Sequence, residues 1–158
     1  MAYQDIAQIC KNGHLINANS NEYPKDNSKF CRRCGEVVID ECEGCKRKIK
    51  GNYVYDDYFM PDEYVVPDYC EECGEAYPWT KKKKESLKDL LQDTDLSEKD
   101  QNDFMNYIDD IISENPRTEL AVLKVKGILR KITSGAQEVA RSLVIDIASE
   151  TIKKSFDL

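Results

Sequence analysis

The residues best suited to chemistry in this sequence are seven cysteines and a single histidine. They form four pairs in the first half of the chain: Cys10 with His14, Cys31 with Cys34, Cys42 with Cys45, and Cys70 with Cys73. Thiolate and imidazole are common zinc ligands, and two intervening residues let the chain turn so that both thiolates of a Cys-x-x-Cys pair reach one ion. Four such pairs supply the ligands of two tetrahedral sites.

Pairing in chain order is the simplest arrangement of these ligands. It predicts one site formed by Cys10, His14, Cys31 and Cys34, and a second formed by Cys42, Cys45, Cys70 and Cys73. The stretch between partner pairs is in each case long enough for a hairpin, which is the architecture of a zinc ribbon. An interleaved arrangement, in which the first pair joins the third and the second joins the fourth, is also compatible with the spacing.

Two Zn²⁺ ions are the expected cofactors, with iron as an alternative at the all-cysteine second site because ligand softness does not separate the two metals. Four protein ligands leave no position for water or substrate, which is typical of structural zinc. The alternative interpretation is that the cysteines are buried free thiols and the histidine is an ordinary structural residue. The histidine, however, supplies the eighth ligand that two complete sites need.

Glycines accompany the cysteine pairs where turns are expected. Gly35 and Gly74 directly follow the second cysteine of their pairs, and Gly44 lies inside the third pair. Their backbone freedom suits a tight turn. The first pair is one residue longer and contains Asn12-Gly13, a strong turn signal that should bring its two ligands together.

The composition changes near Thr80, which divides the chain into two predicted domains, 1–79 and 80–158. All the cysteines, the histidine and four of the five prolines precede this point, whereas Leu, Ile, Ala, Lys and Glu dominate after it. The expected fold class is α+β, with a small double zinc ribbon followed by an all-α region of three to four helices. Metal substitutes for the core that so short a first domain cannot build.

Hydrophobic periodicity and end signals predict the helices of the second half. The predicted helices cover 81–93, 98–114, 116–132 and 136–156. Ser97 is a suitable N-cap, Pro116 suits the start of a helix, and residues 133–135 are a break. The apolar faces of the last two helices are wide for so small a bundle, which leads to the hypothesis that the C-terminal helices form a homo-oligomer.

Residues 51–69, the Tyr/acidic segment, contain five of the nine tyrosines among acidic residues and prolines. One interpretation is a β-hairpin whose rings cover the metal-bound core. The other is a projecting loop that recognises a basic or mixed surface of a protein partner, because tyrosine combines a large contact area with a polar tip. Trp79, the only tryptophan, is expected to pack back on the second ribbon.

The net charge of −7 makes non-specific nucleic-acid binding less favourable, because such binding depends on neutralising phosphates. Three basic runs, Arg32-Arg33, Lys46–Lys48 and Lys81–Lys84, nevertheless support it as an alternative. No stretch approaches the roughly 18 apolar residues of a membrane span, and no signal-peptide pattern opens the sequence, so we expect a cytoplasmic location. Paired cysteines in that compartment are more often metal ligands than disulfides.

Three stretches of the sequence resemble a bacterial family of double zinc-ribbon proteins of uncharacterised function. They are Ile-Ala-Gln-Ile-Cys-x-Asn-Gly-His at 6–14, Phe-Cys-x-x-Cys-Gly at 30–35, and Cys-x-x-Cys-Gly-x-x-Tyr-Pro-Trp-Thr at 70–80. The resemblance implies zinc ribbons followed by a helical region, with zinc ligands at positions 10, 14, 31, 34, 42, 45, 70 and 73. It implies no activity, because fold and function are separable.

These features predict a non-enzymatic adaptor in which a zinc-stabilised module presents the Tyr/acidic segment and a helical module drives assembly. Catalysis is disfavoured because the only histidine is assigned to metal and no phosphate-binding loop or nucleophile motif is present. Nucleic-acid binding or transcriptional regulation is the first alternative function. The second, suggested by the resemblance, is an oligomerising effector of a bacterial stress or phage-response system.

Overall fold

The computed structural model describes residues 2–56, 63–133 and 135–156. The chain divides into two compact units, Met1–Lys81 and Lys82–Leu158. Small antiparallel sheets and two cysteine clusters lie in the first unit, and helices form the second. The predicted α+β fold class is therefore confirmed.

The described residues of the first unit form two small antiparallel sheets. Its strands are β1 (Tyr3–Ile6), β2 (Gln8–Cys10), β3 (Leu15–Asn17), β4 (Val38–Ile39) and β5 (Lys50–Val54). β1 pairs with β5 in one sheet, and β2 lies between β3 and β4 in the other. Ala7 and Ile9 are fully buried while Gln8 between them is partly exposed, as the alternation of side chains along an extended chain requires.

The core of the first unit is a small cluster that includes cysteines of the second ribbon. Its buried members are Ala7, Ile9, Cys42, Ile49, Cys70, Tyr77 and Trp79. Trp79 stacks on Tyr77 with ring centroids 4.8 Å apart, and its indole N–H donates to the carbonyl oxygen of Pro67 at 2.9 Å. The only tryptophan therefore packs in the core with second-ribbon residues, as its position in the sequence predicts.

The β-hairpin considered for residues 51–69 does not form in the part of the segment that the structure describes. β5 pairs with β1 instead, and residues 63–68 contain no strand, while residues 57–62 lie outside the described chain. Pro67 has no N–H to donate to a ladder, which disfavours a strand there. Tyr64 still covers the core, and its hydroxyl donates to the carbonyl of Lys50 at 2.6 Å.

Five helices follow in the described chain, one more than the largest number predicted. They are α1 (Pro78–Gln92), α2 (Glu98–Ser113), α3 (Thr118–Leu129), α4 (Ala136–Ile147) and α5 (Glu150–Phe156). The helix predicted over 136–156 is broken because Ala148 is extended, with φ −70° and ψ 151°. Ser149 then begins α5, accepting hydrogen bonds from the N–H groups of Ile152 and Lys153.

Helix ends follow local capping chemistry more than hydrophobic periodicity. α1 begins at Pro78, because proline lacks the N–H that the first turn cannot use anyway. Ser97 caps α2 as predicted, accepting from the N–H of Asp100 at 3.1 Å. α3 begins later than predicted because Pro116 lies in a turn in which Thr118 N–H donates to the carbonyl of Asn115 at 3.0 Å.

The core of the second unit is aliphatic and aromatic, and α2 and α3 make its most extensive helix contact. Its fully or almost fully buried side chains include Leu87, Leu91, Phe104, Ile108, Ile111, Val125, Val144 and Phe156. No described helix is both long enough and apolar enough for a bilayer crossing.

Candidate metal centre

The first tetrad is formed by Cys10, His14, Cys31 and Cys34, whose ligand atoms all lie within 4.8 Å of one another. The Sγ atoms of Cys10 and Cys34 are 3.8 Å apart. His14 directs Nδ1 at the cluster, 3.5 Å from Sγ of Cys10 and 3.5 Å from Sγ of Cys31. Nδ1 is therefore the nitrogen placed to act as the ligand.

The second tetrad is formed by Cys42, Cys45, Cys70 and Cys73, again with all four sulfur atoms within 4.8 Å of one another. Sγ of Cys42 lies 3.7 Å from Sγ of Cys73, and Sγ of Cys45 lies 3.6 Å from Sγ of Cys70. In both tetrads the first cysteine of each Cys-x-x-Cys pair is buried and the second is exposed.

These distances match the edges of a tetrahedron around zinc. With Zn–S at about 2.3 Å and Zn–N at about 2.0–2.1 Å, the S···S edge is about 3.8 Å and the S···N edge about 3.6 Å. A disulfide would need sulfur atoms about 2.05 Å apart, and all seven cysteines are free. The donor atoms and their spacing therefore fit one tetrahedral ion per tetrad.

The grouping in chain order follows from strand pairing. The turn containing Cys31 is closed by a bridge between Phe30 and Val37, and the next residue, Val38, pairs with Cys10. This register places the second cysteine pair beside the first. The structure therefore does not form the interleaved arrangement.

The three Cys-x-x-Cys turns share one backbone geometry. In each, the first cysteine donates its N–H to the carbonyl five residues later at 2.8 Å, and a bridge flanks the turn. The residue four positions after the first cysteine has a positive φ: 74° at Gly35, 65° at Lys46 and 76° at Gly74. The turn therefore needs a left-handed residue at this one position, which suits glycine.

Gly44 has a different role from the one predicted. Lys46, not Gly44, adopts the left-handed conformation in the third pair. A Cβ on Gly44 would lie 2.0 Å from Oε2 of Glu75, whose other carboxylate oxygen accepts from Nζ of Lys81 at 2.6 Å. Gly44 therefore leaves room for a carboxylate side chain.

The first pair lies at the tip of the β2–β3 hairpin, where Asn12-Gly13 forms the predicted turn. Gly13 has φ of 90°, and its N–H donates to the carbonyl of Cys10 at 2.8 Å. The Asn12 side-chain amide donates to Sγ of Cys34 at 3.4 Å, a contact that spacing alone did not indicate. One turn residue thus supports a ligand from the partner pair.

Hydrogen bonds to sulfur favour the thiolate at one cysteine of each tetrad. The backbone hydrogen bond from Glu36, followed by the Asn12 side chain, lowers the pKa of Cys34 to about 6. The backbone hydrogen bond from Cys73 chiefly lowers the pKa of Cys70 to about 6. Because zinc binds thiolates, these hydrogen bonds favour the ligand form of Cys34 and Cys70.

Comparison with known proteins identifies the family of the chain but no function. No curated protein and no solved structure matches the chain. A family model described as an uncharacterized protein conserved in bacteria (DUF2321) matches residues 3–156, which include both tetrads and all five helices. That description names neither a metal nor an activity. Because the match covers nearly the whole sequence, the chain belongs to this family of uncharacterised bacterial proteins.

Proposed function

We propose that the chain is a non-enzymatic adaptor whose first unit is held by two structural zinc ions. The observation that carries the proposal is the pair of closed tetrads. Each places four donor atoms at tetrahedral spacing, which fills the usual coordination of structural zinc and leaves no position for a substrate.

The small core of the first unit supports a structural role for the metal. Among its described residues, nine apolar side chains are buried, and four of these belong to ligand cysteines: Cys10, Cys31, Cys42 and Cys70. Without metal, these positions contribute only small thiols that must pack beside one another. Zinc binding therefore supplies folding free energy that the few aliphatic and aromatic side chains do not.

Exposed tyrosines in the described part of the Tyr/acidic segment support recognition of a protein partner. Tyr53 and Tyr55 are each 54% exposed, and their ring centroids lie 6.1 Å apart. Residues two apart on an extended chain share a face, so the rings form one patch. Val65 in the same segment is also exposed. Aromatic patches of this kind are favoured at the centres of protein interfaces.

Helix α3 supports self-association of the second unit, because it is apolar on both its buried and its exposed sides. Ala121 and Val125 face the core, while Leu120 and Leu123 are exposed, Leu123 by 69%. A Cβ on Gly127 would meet nothing within 4 Å. Residues 120, 123 and 127 lie close together on a helix surface, so they form a stripe that a second copy can cover.

In two of the three basic runs, cationic side chains already form ion pairs, which makes nucleic-acid binding by these runs less favourable. Lys81 pairs with Glu75 at 2.6 Å, and Lys84 pairs with Asp109 at 2.5 Å. Arg47 and Lys48 are likewise paired with neighbouring carboxylates. Phosphate binding requires cations that are free to replace condensed counterions, so these residues favour a local structural role.

Affinity capture from the native host with the full-length chain tests the adaptor proposal. We expect one partner protein to be recovered by the wild type and by a Tyr23→Ala control, which removes an exposed tyrosine outside the segment. The Tyr53→Ala/Tyr55→Ala variant should retain its metal and fold but lose that partner. Equal recovery by all three proteins would refute recognition through these tyrosines.

A further inference from the structure

A groove of about 520 Å³ lies on the first ribbon, and none of the described residues of the Tyr/acidic segment lines it. Two stretches of chain line it, and each includes a ligand of the first tetrad. The first is His14, Leu15 and Ile16, and the second, within residues 25–33, is Lys25, Asp26, Ser28, Phe30, Cys31, Arg32 and Arg33. β3 is an edge strand of its sheet, with β2 on one side and no other strand of the described chain on its second side. The groove therefore borders a strand edge that is open to pairing.

Apolar side chains are exposed in and beside this groove. Phe30 is 60% exposed and Leu15 is 42% exposed. Val37, which is bridged to Phe30, is also exposed. Three large apolar side chains near one another at the surface of so acidic a chain indicate an interaction site more strongly than the scattered apolar residues normal on protein surfaces.

The groove is also basic in a chain of net charge −7. Lys25, Arg32 and Arg33 line the groove, and Lys29 lies between them in the sequence. All four are exposed, and none of them forms an ion pair with a described residue. Asp26 is the only acidic residue between positions 23 and 35, which gives this stretch a local charge of +3 (four cations and one anion).

In the second ribbon, by contrast, cationic side chains form ion pairs with carboxylates of the same unit. Arg47 pairs with Glu72 at 3.0 Å, and Lys50 pairs with Glu71 at 2.7 Å. Arg47, Lys48 and Lys50 of the second ribbon are thus neutralised within the unit, whereas Lys25, Arg32 and Arg33 of the groove have no carboxylate partner among the described residues. This contrast points to an anionic ligand at the first ribbon, because complementary charge steers and selects a partner.

We infer that this groove binds an extended, acidic segment of a partner protein that carries apolar anchor side chains. The open edge of β3 offers backbone pairing to an extended peptide, Leu15 and Phe30 contact its apolar side chains, and the surrounding cations contact its carboxylates. Single-stranded nucleic acid fits less well, because bases stack on successive aromatic side chains and Leu15 and Ile16 are aliphatic. The inference goes beyond the adaptor proposal, since it concerns a separate surface and a partner of opposite charge.

Amide chemical shifts of the full-length, zinc-loaded chain test this inference. The probe is a short capped peptide in which glutamate alternates with leucine and phenylalanine, and the comparison ligands are oligoglutamate of equal length and a short oligothymidylate. We expect the mixed peptide to shift the amide signals of Leu15, Ile16 and Phe30, with binding that weakens as salt screens the charges.

Two charge-reversal variants separate binding from folding. Arg32→Glu/Arg33→Glu changes residues inside a Cys-x-x-Cys turn, whereas Lys25→Glu/Lys29→Glu leaves all three Cys-x-x-Cys turns unaltered. Each should weaken peptide binding at least about tenfold, because attraction to carboxylates becomes repulsion. The second variant keeps the test valid if the first one binds zinc poorly.

A matched control and an apolar variant complete the test. Lys88→Glu/Lys124→Glu makes the same charge change at exposed positions of the helical unit and should bind the peptide as the wild type does. Phe30→Ala should weaken binding of the mixed peptide without changing the metal content.

Three outcomes would overturn the inference. The first is the absence of groove shifts at about 1 mM peptide, which corresponds to binding weaker than about −4 kcal/mol. The second is equal binding of oligoglutamate, which would show attraction by charge alone. The third is tighter binding of oligothymidylate at the same residues, which would assign the groove to nucleic acid.

Discussion

Gly13 packs directly against Trp79: a Cβ on Gly13 would lie 3.0 Å from Cβ and 3.2 Å from Cγ of the tryptophan. The turn that presents His14 is therefore in contact with the largest side chain of the first-unit core. Two constraints act on this glycine, because its φ of 90° is also unfavourable for any residue with a side chain.

Substitution Gly13→Ala should destabilise the first unit by about 2–4 kcal/mol, through left-handed strain and overpacking against Trp79. The matched control is Gly35→Ala, which has φ of 74° but meets nothing within 4 Å, so that only the strain of about 1 kcal/mol applies. Denaturant unfolding of the zinc-loaded proteins, followed by Trp79 fluorescence, measures both changes. Equal losses in the two variants would argue against the packing contact.

Lys46 is the one non-glycine residue at the left-handed position of the three Cys-x-x-Cys turns. Lys46→Gly should raise the free energy of unfolding of the first unit by about 1 kcal/mol, because glycine adopts a positive φ without steric cost. Lys46→Ala removes the same charge but keeps a Cβ, and it should give no such gain. Equal stability of the two variants in thermal unfolding would contradict the strain at this position.

Asp110 organises the turn between α2 and α3. It accepts from the side-chain amide of Asn115 at 2.8 Å and from Nε of Arg117 at 3.2 Å. The hydrogen bond from Asn115, followed by that from Arg117, lowers the pKa of Asp110 below its ordinary value of 3.8. Because the folded-state pKa is depressed, this stabilisation is complete above the unfolded-state pKa and is lost as pH falls through the folded-state pKa.

Asp110→Asn should therefore make the second unit less stable than the wild type near neutral pH, and the difference should shrink in strong acid. Asp89→Asn at an exposed position of α1 is the control for loss of one carboxylate. Urea unfolding of the helical signal at several pH values gives the comparison. A difference between wild type and Asp110→Asn that is the same at every pH would exclude ionisation of Asp110 as its cause.

The exposed stripe of α3 predicts concentration-dependent association of the full-length chain. Leu123→Glu should shift the chain towards monomer by placing a charge in the proposed contact, whereas Lys124→Glu, on the neighbouring exposed position, should have a smaller effect. Light scattering coupled to size exclusion measures the mass of each protein over a range of concentrations. A wild-type chain that is monomeric throughout would rule out assembly through this stripe.

Spacing predicts that the two members of each Cys-x-x-Cys pair meet, because such a pair is a local turn with few alternatives. The same locality explains why the N-cap role of Ser97 is predictable. Spacing leaves the grouping of the pairs open, and the register between β2 and β4 decides it. Pairing between distant strands is harder to predict from the sequence. β5 pairs with β1, which lies more than forty residues earlier, and no pattern in residues 51–69 indicates that partner.

Some backbone conformations also could not be predicted from residue type. Lys46 takes a conformation usual for glycine, and its neighbour Gly44 instead makes room for Glu75. The break at Ala148 lies in an otherwise apolar periodic stretch, where Ser149 competes for the backbone as an N-cap. The intrinsic preference of the residue is outweighed by the hydrogen-bonded turn at Lys46, by a tertiary contact at Gly44 and by a cap at Ser149.

Native mass spectrometry of the purified full-length chain tests the central claim most directly. Two tetrads of tetrahedral spacing predict a mass increase of two zinc ions per chain, and a Cys73→Ala variant should lose the ion of the second tetrad while keeping the first. Chelation should abolish both increments and unfold the first unit around Trp79. A chain that carries no metal, or that gives the same folded spectrum after its metal is removed, would contradict the account.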